Sequence, residues 1–177
     1  MTSILKVDQL QDSGGNAFIT SDGSGNITTQ KLLYPAFEAY LSADQTLTNG
    51  TVTKVQFDTE IFDTDNCYDN STNYRFTPTV AGKYYVYSSL KLQSSGNDGI
   101  VSAFNYLYKN ENQVRRTQFV TSTHQPTAMQ MYVDGIVDMN GSSDYFEIFG
   151  YINQTSGSPR VDAGTKASYF GAYRIGD

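Results

Sequence analysis

The residues most able to do chemistry lie in one acidic stretch, one histidine loop, one cysteine and one arginine pair. Asp63-Thr64-Asp65-Asn66-Cys67-Tyr68-Asp69-Asn70 spaces oxygen ligands so that the carboxylates of Asp63, Asp65 and Asp69 could meet a calcium ion. The match to a calcium-binding helix-loop-helix fails, because no glycine stands at the sixth position and Tyr74 stands where the closing glutamate belongs. The stretch reads as a solvated acidic turn between strands, with calcium as the alternative and no other cofactor expected. His124, the only histidine, sits in the loop Thr121-Ser122-Thr123-His124-Gln125-Pro126-Thr127 with no thiol or carboxylate near it in sequence to form a base and nucleophile pair. Cys67 is alone, which excludes an intrachain disulfide and suits a small buried thiol. No nucleophile elbow or paired metal ligands occur, and no glycine-rich piece precedes a helix that would aim amides at a phosphate. These observations predict a protein that is not an enzyme.

Arg115 and Arg116 are adjacent in an extended run, so they point to opposite faces and cannot serve one site equally. Pairing with acidic residues of a neighbouring subunit is the preferred reading, with pairing inside the subunit and an anionic glycan as the alternatives. Binding is expected at loop tips, which can vary without disturbing a rigid scaffold. The three loops concerned are Gln93 to Asp98, Thr121 to Thr127 and Asn153 to Ala163. Within them Ser95, Asn97, Asp98, His124, Gln125 and Arg160 are the expected contact residues.

The elements that must position these groups are strands. With 14 tyrosines, 10 phenylalanines and no tryptophan, the core and any interface must be built from Tyr, Phe and aliphatic residues, a composition that favours sheets. The 177 residues suit one principal domain, and the net charge of −6 repels phosphate backbones and anionic bilayers. Neither a nucleic-acid partner nor membrane insertion is expected, and the first residues lack the basic and apolar pattern of an export signal. From Tyr34 onward strands are predicted over Ala36 to Leu41, Val52 to Asp58, Asn73 to Thr77, Lys83 to Leu92, Ile100 to Lys109, Gln113 to Thr121, Met129 to Met139, Asp144 to Asn153 and Lys166 to Ile175. No helix interrupts them, and the spacing is that of an all-β sandwich.

Period-two alternation assigns faces. Tyr84, Val86, Ser88, Leu90 and Leu92 form one set, opposite Tyr85, Tyr87, Ser89 and Lys91. Met129, Met131, Val133 and Val137 form another, and Phe146, Ile148 and Ile152 stand opposite Tyr145, Glu147 and Tyr151. Aromatic residues on the nominally outer faces ask for a second cover, which another subunit would supply.

The stretch Phe76-Thr77-Pro78-Thr79-Val80-Ala81-Gly82-Lys83-Tyr84-Tyr85-Val86-Tyr87 holds a strand end, a proline and glycine corner and a new strand. This corner resembles that of the C1q/tumour necrosis factor-like family. Further landmarks follow in the family's order: Pro35-Ala36-Phe37-Glu38-Ala39-Tyr40-Leu41, Thr53-Lys54-Val55-Gln56-Phe57-Asp58, Tyr106-Leu107-Tyr108-Lys109-Asn110, Asp144-Tyr145-Phe146-Glu147-Ile148 and the closing Tyr169-Phe170-Gly171-Ala172-Tyr173. The resemblance covers residues 35 to 177 and implies a ten-stranded jelly-roll head that assembles as a homotrimer. On it, Tyr85, Tyr87, Tyr145, Tyr151, Tyr169 and Tyr173 are the expected subunit-facing residues.

Residues 1 to 34 differ. Short apolar pieces alternate with Asp12-Ser13-Gly14-Gly15-Asn16 and Asp22-Gly23-Ser24-Gly25-Asn26, which read as turns between very short strands. Secreted animal members of the family carry a signal peptide and a collagen stalk, whereas Ile4 to Asn16 and Ser21 to Gly25 resemble the N-terminal segment of bacteriophage virion proteins, especially those of marine and cyanobacterial phages. The resemblance implies a virion protein assembled in the bacterial cytoplasm, anchored to other virion proteins through residues 1 to 34. Its head at 35 to 177 would attach to a host-surface glycan or protein. A flexible tail in place of the anchor, a capsid decoration protein and a stand-alone saccharide-binding lectin are the alternatives.

Overall fold

β-branched and aromatic residues in alternation draw the chain into strands almost throughout. A computed structural model of the chain describes residues 7–29, 34–96 and 99–176, and no helix occurs among them. The chain divides into two compact units between residues 33 and 34. In the first, β1 (Gln9–Gln11), β2 (Ala17–Ser21) and β3 (Ile27–Thr29) form an antiparallel meander. Its two turns use the same device ten residues apart in the chain. Asp12 accepts from the amides of Gly14 and Asn16 at 2.8 and 2.9 Å, and Asp22 accepts from those of Ser24 and Asn26 at 2.7 and 3.1 Å. The side chains of Asn16 and Asn26 return to the same carboxylates, and these bonds hold both carboxyls below their ordinary pKa. Phe18 and Ile27 stay exposed, as three short strands cannot enclose a core.

The second unit is a two-layer sandwich. Its strands are β4 (Ala36–Tyr40), β5 (Gln45–Thr46), β6 (Thr53–Lys54), β7 (Thr59–Asp63), β8 (Tyr68–Asp69), β9 (Arg75–Phe76), β10 (Gly82–Gln93), β11 (Ile100–Lys109), β12 (Asn112–Val120), β13 (Ala128–Met139), β14 (Phe146–Gln154), β15 (Arg160–Asp162) and β16 (Tyr169–Gly176). In the first sheet β13 pairs along the whole of β10, whose other side pairs with β16 and then β15. β4 and β7 continue from β16, and β5 continues from β15. The second sheet runs β12-β11-β14, with β6 and β9 both on the far side of β14 and β8 beyond β9. All of these pairings are antiparallel.

Between the layers Phe37 stacks on Tyr68 and Phe76 at centroid distances of 4.5 and 4.6 Å and meets Phe170 edge-on at 4.8 Å. Burial raises the Tyr68 phenol, whose hydroxyl donates to the Phe57 carbonyl at 2.9 Å. The predicted inward sets Tyr84, Val86, Leu90, Leu92 and Phe146, Ile148, Ile152 all lie in this core. At the corner Gly82 has φ 139°, a left-handed value, and the Tyr84 hydroxyl donates to the Val80 carbonyl at 2.7 Å to close the turn. Burial pushes the Tyr84 phenol up to about 12.

Three strand expectations need correction. The predicted strand Val52 to Asp58 pairs only at Thr53–Lys54, because Val55 and Phe57 bury themselves in the core without a ladder partner beyond the Val55 amide bond to the Ile148 carbonyl. β4 pairs with β16 on one side and on the other with β7, a strand absent from the predicted set. The last strand begins at Tyr169 rather than Lys166, because Ala167 N–H closes a turn on the Ala163 carbonyl and Lys166 adopts φ 57°. The short β5 and β15 carry too few residues for alternation to reveal them.

Candidate functional site

The outer face of the first sheet gathers tyrosines from four strands. Strand register sets Tyr85 between Ile136 and Tyr173, Tyr87 between Asp134 and Gly171, and Ser89 between Tyr132 and Tyr169, with Tyr40 beyond Tyr169. Tyr85 lies 5.9 Å from Tyr87 and 5.5 Å from Tyr173, and Tyr87 lies 6.2 Å from Tyr169, all between centroids. Two carboxylates anchor these rings: the Tyr87 hydroxyl donates to Glu38 at 2.7 Å, and the Tyr85 hydroxyl donates to Asp134 at 3.0 Å. Burial together with the Glu38 bond raises the Tyr87 phenol, and the Asp134 bond raises that of Tyr85. A cup of about 390 Å³ opens among Tyr85, Tyr87, Tyr132, Asp134 and Tyr169. Around it Tyr132, Ile136, Tyr173 and Ile175 expose 60, 55, 44 and 44 % of their surface.

The outer face of the second sheet is also aromatic but covers itself. Phe104, Tyr106, Tyr108, Phe149 and Tyr151 form a ladder with neighbouring centroids 4.5 to 6.0 Å apart. The Arg116 guanidinium sits 5.5 Å above Phe104, and Lys54 sits 5.9 Å above Phe149 while pairing with the buried Glu147. Arg75 covers Tyr145 at 4.3 Å. The six tyrosines expected at one subunit interface therefore divide: Tyr85, Tyr87, Tyr169 and Tyr173 share the first sheet, whereas Tyr151 lies on the second sheet and Tyr145 lies beside it at the entrance to β14. Alternation revealed which residues faced outward, but not which sheet each strand would join. Tyr132, Asp134, Ile136 and Glu38 belong to the tyrosine face too, and the alternation of β13 carried the signal for the first three.

The three predicted recognition loops come to one end of the sandwich. Register brings the end of β10 beside the starts of β13 and β15, and the start of β11 beside the ends of β12 and β14. Ser95 is held by a reciprocal pair with Gln154, its amide donating at 3.2 Å and its hydroxyl accepting at 2.8 Å. Arg160 reaches Gln93 at 2.9 Å and Asp44 at 3.1 Å. His124 and Gln125 are exposed, and with Phe119, Thr121 and Pro126 they line a hollow of about 390 Å³ that is largely apolar. Asn97 and Asp98 lie outside the described residues.

The acidic stretch spends its oxygens on the backbone. Asp63 accepts from the amides of Asp65 and Tyr68 at 3.2 and 2.7 Å. Asp69 accepts from those of Ser71, Thr72 and Asn73 at 3.1, 2.9 and 3.0 Å, bonds that hold its carboxyl well below the usual range, the Thr72 amide foremost. Among the described residues no cluster of His, Cys, Asp and Glu could hold a metal ion, so Asp63, Asp65 and Asp69 are not brought together as ligands. Cys67 is buried, and burial raises its thiol.

No family model and no curated protein matches the chain. Solved structures do resemble it. Murine APRIL superposes with a TM-score of 0.59 at 9 % identity over 80 % of this chain and 99 % of its own. Eiger TNF from S. frugiperda does so with 0.55 at 10 % over 81 and 92 %, and the globular domain of zebrafish complement 1qA with 0.52 at 14 % over 78 and 93 %. The fold is thus that of the C1q/TNF-like jelly rolls, an all-β sandwich.

Proposed function

We propose that the chain is a non-enzymatic structural protein of a bacteriophage virion, whose residues 35–177 form a trimeric head for attachment to a host-surface glycan or protein. The observation that carries the trimer is the contrast between the two outer faces. The second sheet's rings are covered by its own Arg116 and Lys54, whereas the first sheet leaves Tyr132, Ile136 and Tyr173 open. An exposed aromatic face of this kind is closed by another copy. The likeness to C1q and TNF folds supports the same reading.

Attachment rests on the convergence of the three loops at one end, where the largely apolar hollow lined by Phe119, His124 and Pro126 suits the ring face of a saccharide. Placement in a virion rests on the N-terminal sequence resemblance, with residues 1–34 as the anchor to other virion proteins. One observation favours capsid decoration as the second reading. Fully extended, 34 residues reach about 110 Å, and residues 9–29 are instead folded back on themselves as a meander, which shortens any stalk. Cryo-electron microscopy of virions with the head labelled separates the two. Density at tail or fibre tips supports attachment, knobs over the capsid lattice support decoration, and absence from particles overturns the virion assignment.

A further inference from the structure

Arg115 and Arg116 point to opposite faces of β12, as their adjacency requires. Arg116 lies over Phe104 on the outer face. Arg115 stands opposite the buried Leu107 and so turns toward the seam where β12 and β13, the edge strands of the two sheets, meet. The Thr117 hydroxyl donates to the Tyr132 carbonyl across this seam. The Arg115 stem crosses Gly135, where an added Cβ would come within 2.2 Å of its Nε, so the bare backbone at 135 gives the guanidinium its course.

Asp134 meets Arg115 around one hollow. The hollow, about 360 Å³ in volume, lies among Gln113, Arg115, Arg116, Thr117, Val133 and Asp134. Tyr85 holds Asp134 from its other side, the phenol hydroxyl donating to one carboxylate oxygen at 3.0 Å. Arg115 and Asp134 thus share the hollow, each with a support of its own, and none of the ion pairs among the described residues joins them directly. A ligand that bridges the two gives a partner to both.

Two arginines against one carboxylate give this hollow a positive excess in a chain of net charge −6. The excess draws an anionic group to Arg115, whose planar fork grips a carboxylate through two parallel hydrogen bonds. Asp134 repels a bare anion such as phosphate but accepts hydrogen bonds from hydroxyls. A hexuronic or sialic acid residue carries a carboxylate and several hydroxyls on one small unit, and so answers both. We propose that the seam between β12 and β13 binds an acidic saccharide, its carboxylate on Arg115 and its hydroxyls donating to Asp134, with the Gln113 amide beside them. The proposal deepens the glycan-attachment reading and rests on it. It places recognition on paired strands, where side chains are held more precisely than on loop tips.

The test is calorimetric titration of the full chain with trigalacturonate and sialyllactose, and with the uncharged maltotriose and lactose for comparison. Wild type is expected to bind at least one acidic sugar about tenfold or more tightly than the uncharged pair. Arg115→Gln is expected to remove that margin, and Asp134→Ala to weaken acidic binding by about fivefold. Because Arg115→Gln can misfold, Arg115→Lys gives a second readout: it keeps the charge without the fork and is expected to recover only part of the affinity. Acidic and uncharged sugars bound alike, or acidic binding that the Arg115 variants leave intact, overturns the seam site and leaves glycan attachment standing. Tighter acidic binding by Asp134→Ala overturns the bridge between the two residues. Binding of none of the four sugars also overturns the seam site, and adsorption of the labelled head to host cells then decides attachment separately.

Discussion

Tyr87 crosses Gly171 so closely that a Cβ at position 171 would come within 2.5 Å of the phenol ring. The ring is also fixed at its far end by the hydrogen bond to Glu38. Gly171→Ala is therefore expected to displace a tethered ring and destabilise the head by about 1–3 kcal/mol. Removing the tether with Glu38→Ala in the same chain should soften that penalty, which thermal unfolding of the two variants will measure.

The exposed residues of the tyrosine face separate stability from assembly. Ile136→Lys and Tyr132→Lys should change the unfolding free energy of a single chain by no more than about 0.5 kcal/mol, since both are more than half exposed. The same changes should shift the particle mass toward a single chain. Val52→Lys, which is 41 % exposed but lies beside β6 of the other sheet, serves as the control and should leave the mass unaltered.

Asn105 and Ser88 make opposite predictions within one buried polar spot. The Asn105 amide donates across the sandwich to the Met131 carbonyl at 3.0 Å and the Ser88 carbonyl at 3.4 Å, so Asn105→Ala should cost about 1–3 kcal/mol. The Ser88 hydroxyl is buried without a partner, and Ser88→Ala should be neutral or stabilising. Denaturant titration of both variants decides the signs.

Asp144 ties the β11–β12 turn to the start of β14, accepting from Lys109 at 2.8 Å, Asn110 at 2.7 Å and the Asn140 amide at 2.9 Å. These bonds, that of Lys109 foremost, hold its carboxyl below the ordinary value. A lowered folded-state pKa contributes stability in full above the unfolded value, near pH 4, and loses it as pH falls through the folded one. Asp144→Asn should thus cost about 2 kcal/mol at pH 7. The gap to wild type should close as the pH drops below 4, and unfolding curves across that range will test it.

By itself the sequence determined the local events. Alternation marked Tyr84, Val86 and Leu90 as inward and Tyr85 and Tyr87 as outward, because side-chain direction in a strand depends only on position along it. The Pro78 and Gly82 corner and the paired Asp-Asn turns at 12–16 and 22–26 were legible for the same reason: proline, a left-handed glycine and a capping aspartate each act within a few residues. Only the tertiary structure decided which strands became neighbours. Val55 and Phe57 alternate like strand residues yet pack without a ladder, and Tyr151, outward like Tyr85, emerged on the opposite sheet beside Phe104. The cup that unites Tyr87, Tyr132 and Tyr169, and the meeting of Arg115 with Asp134 around one hollow, depend on pairings between residues well apart in the chain. Such pairings follow from how the whole core closes, which no local pattern encodes.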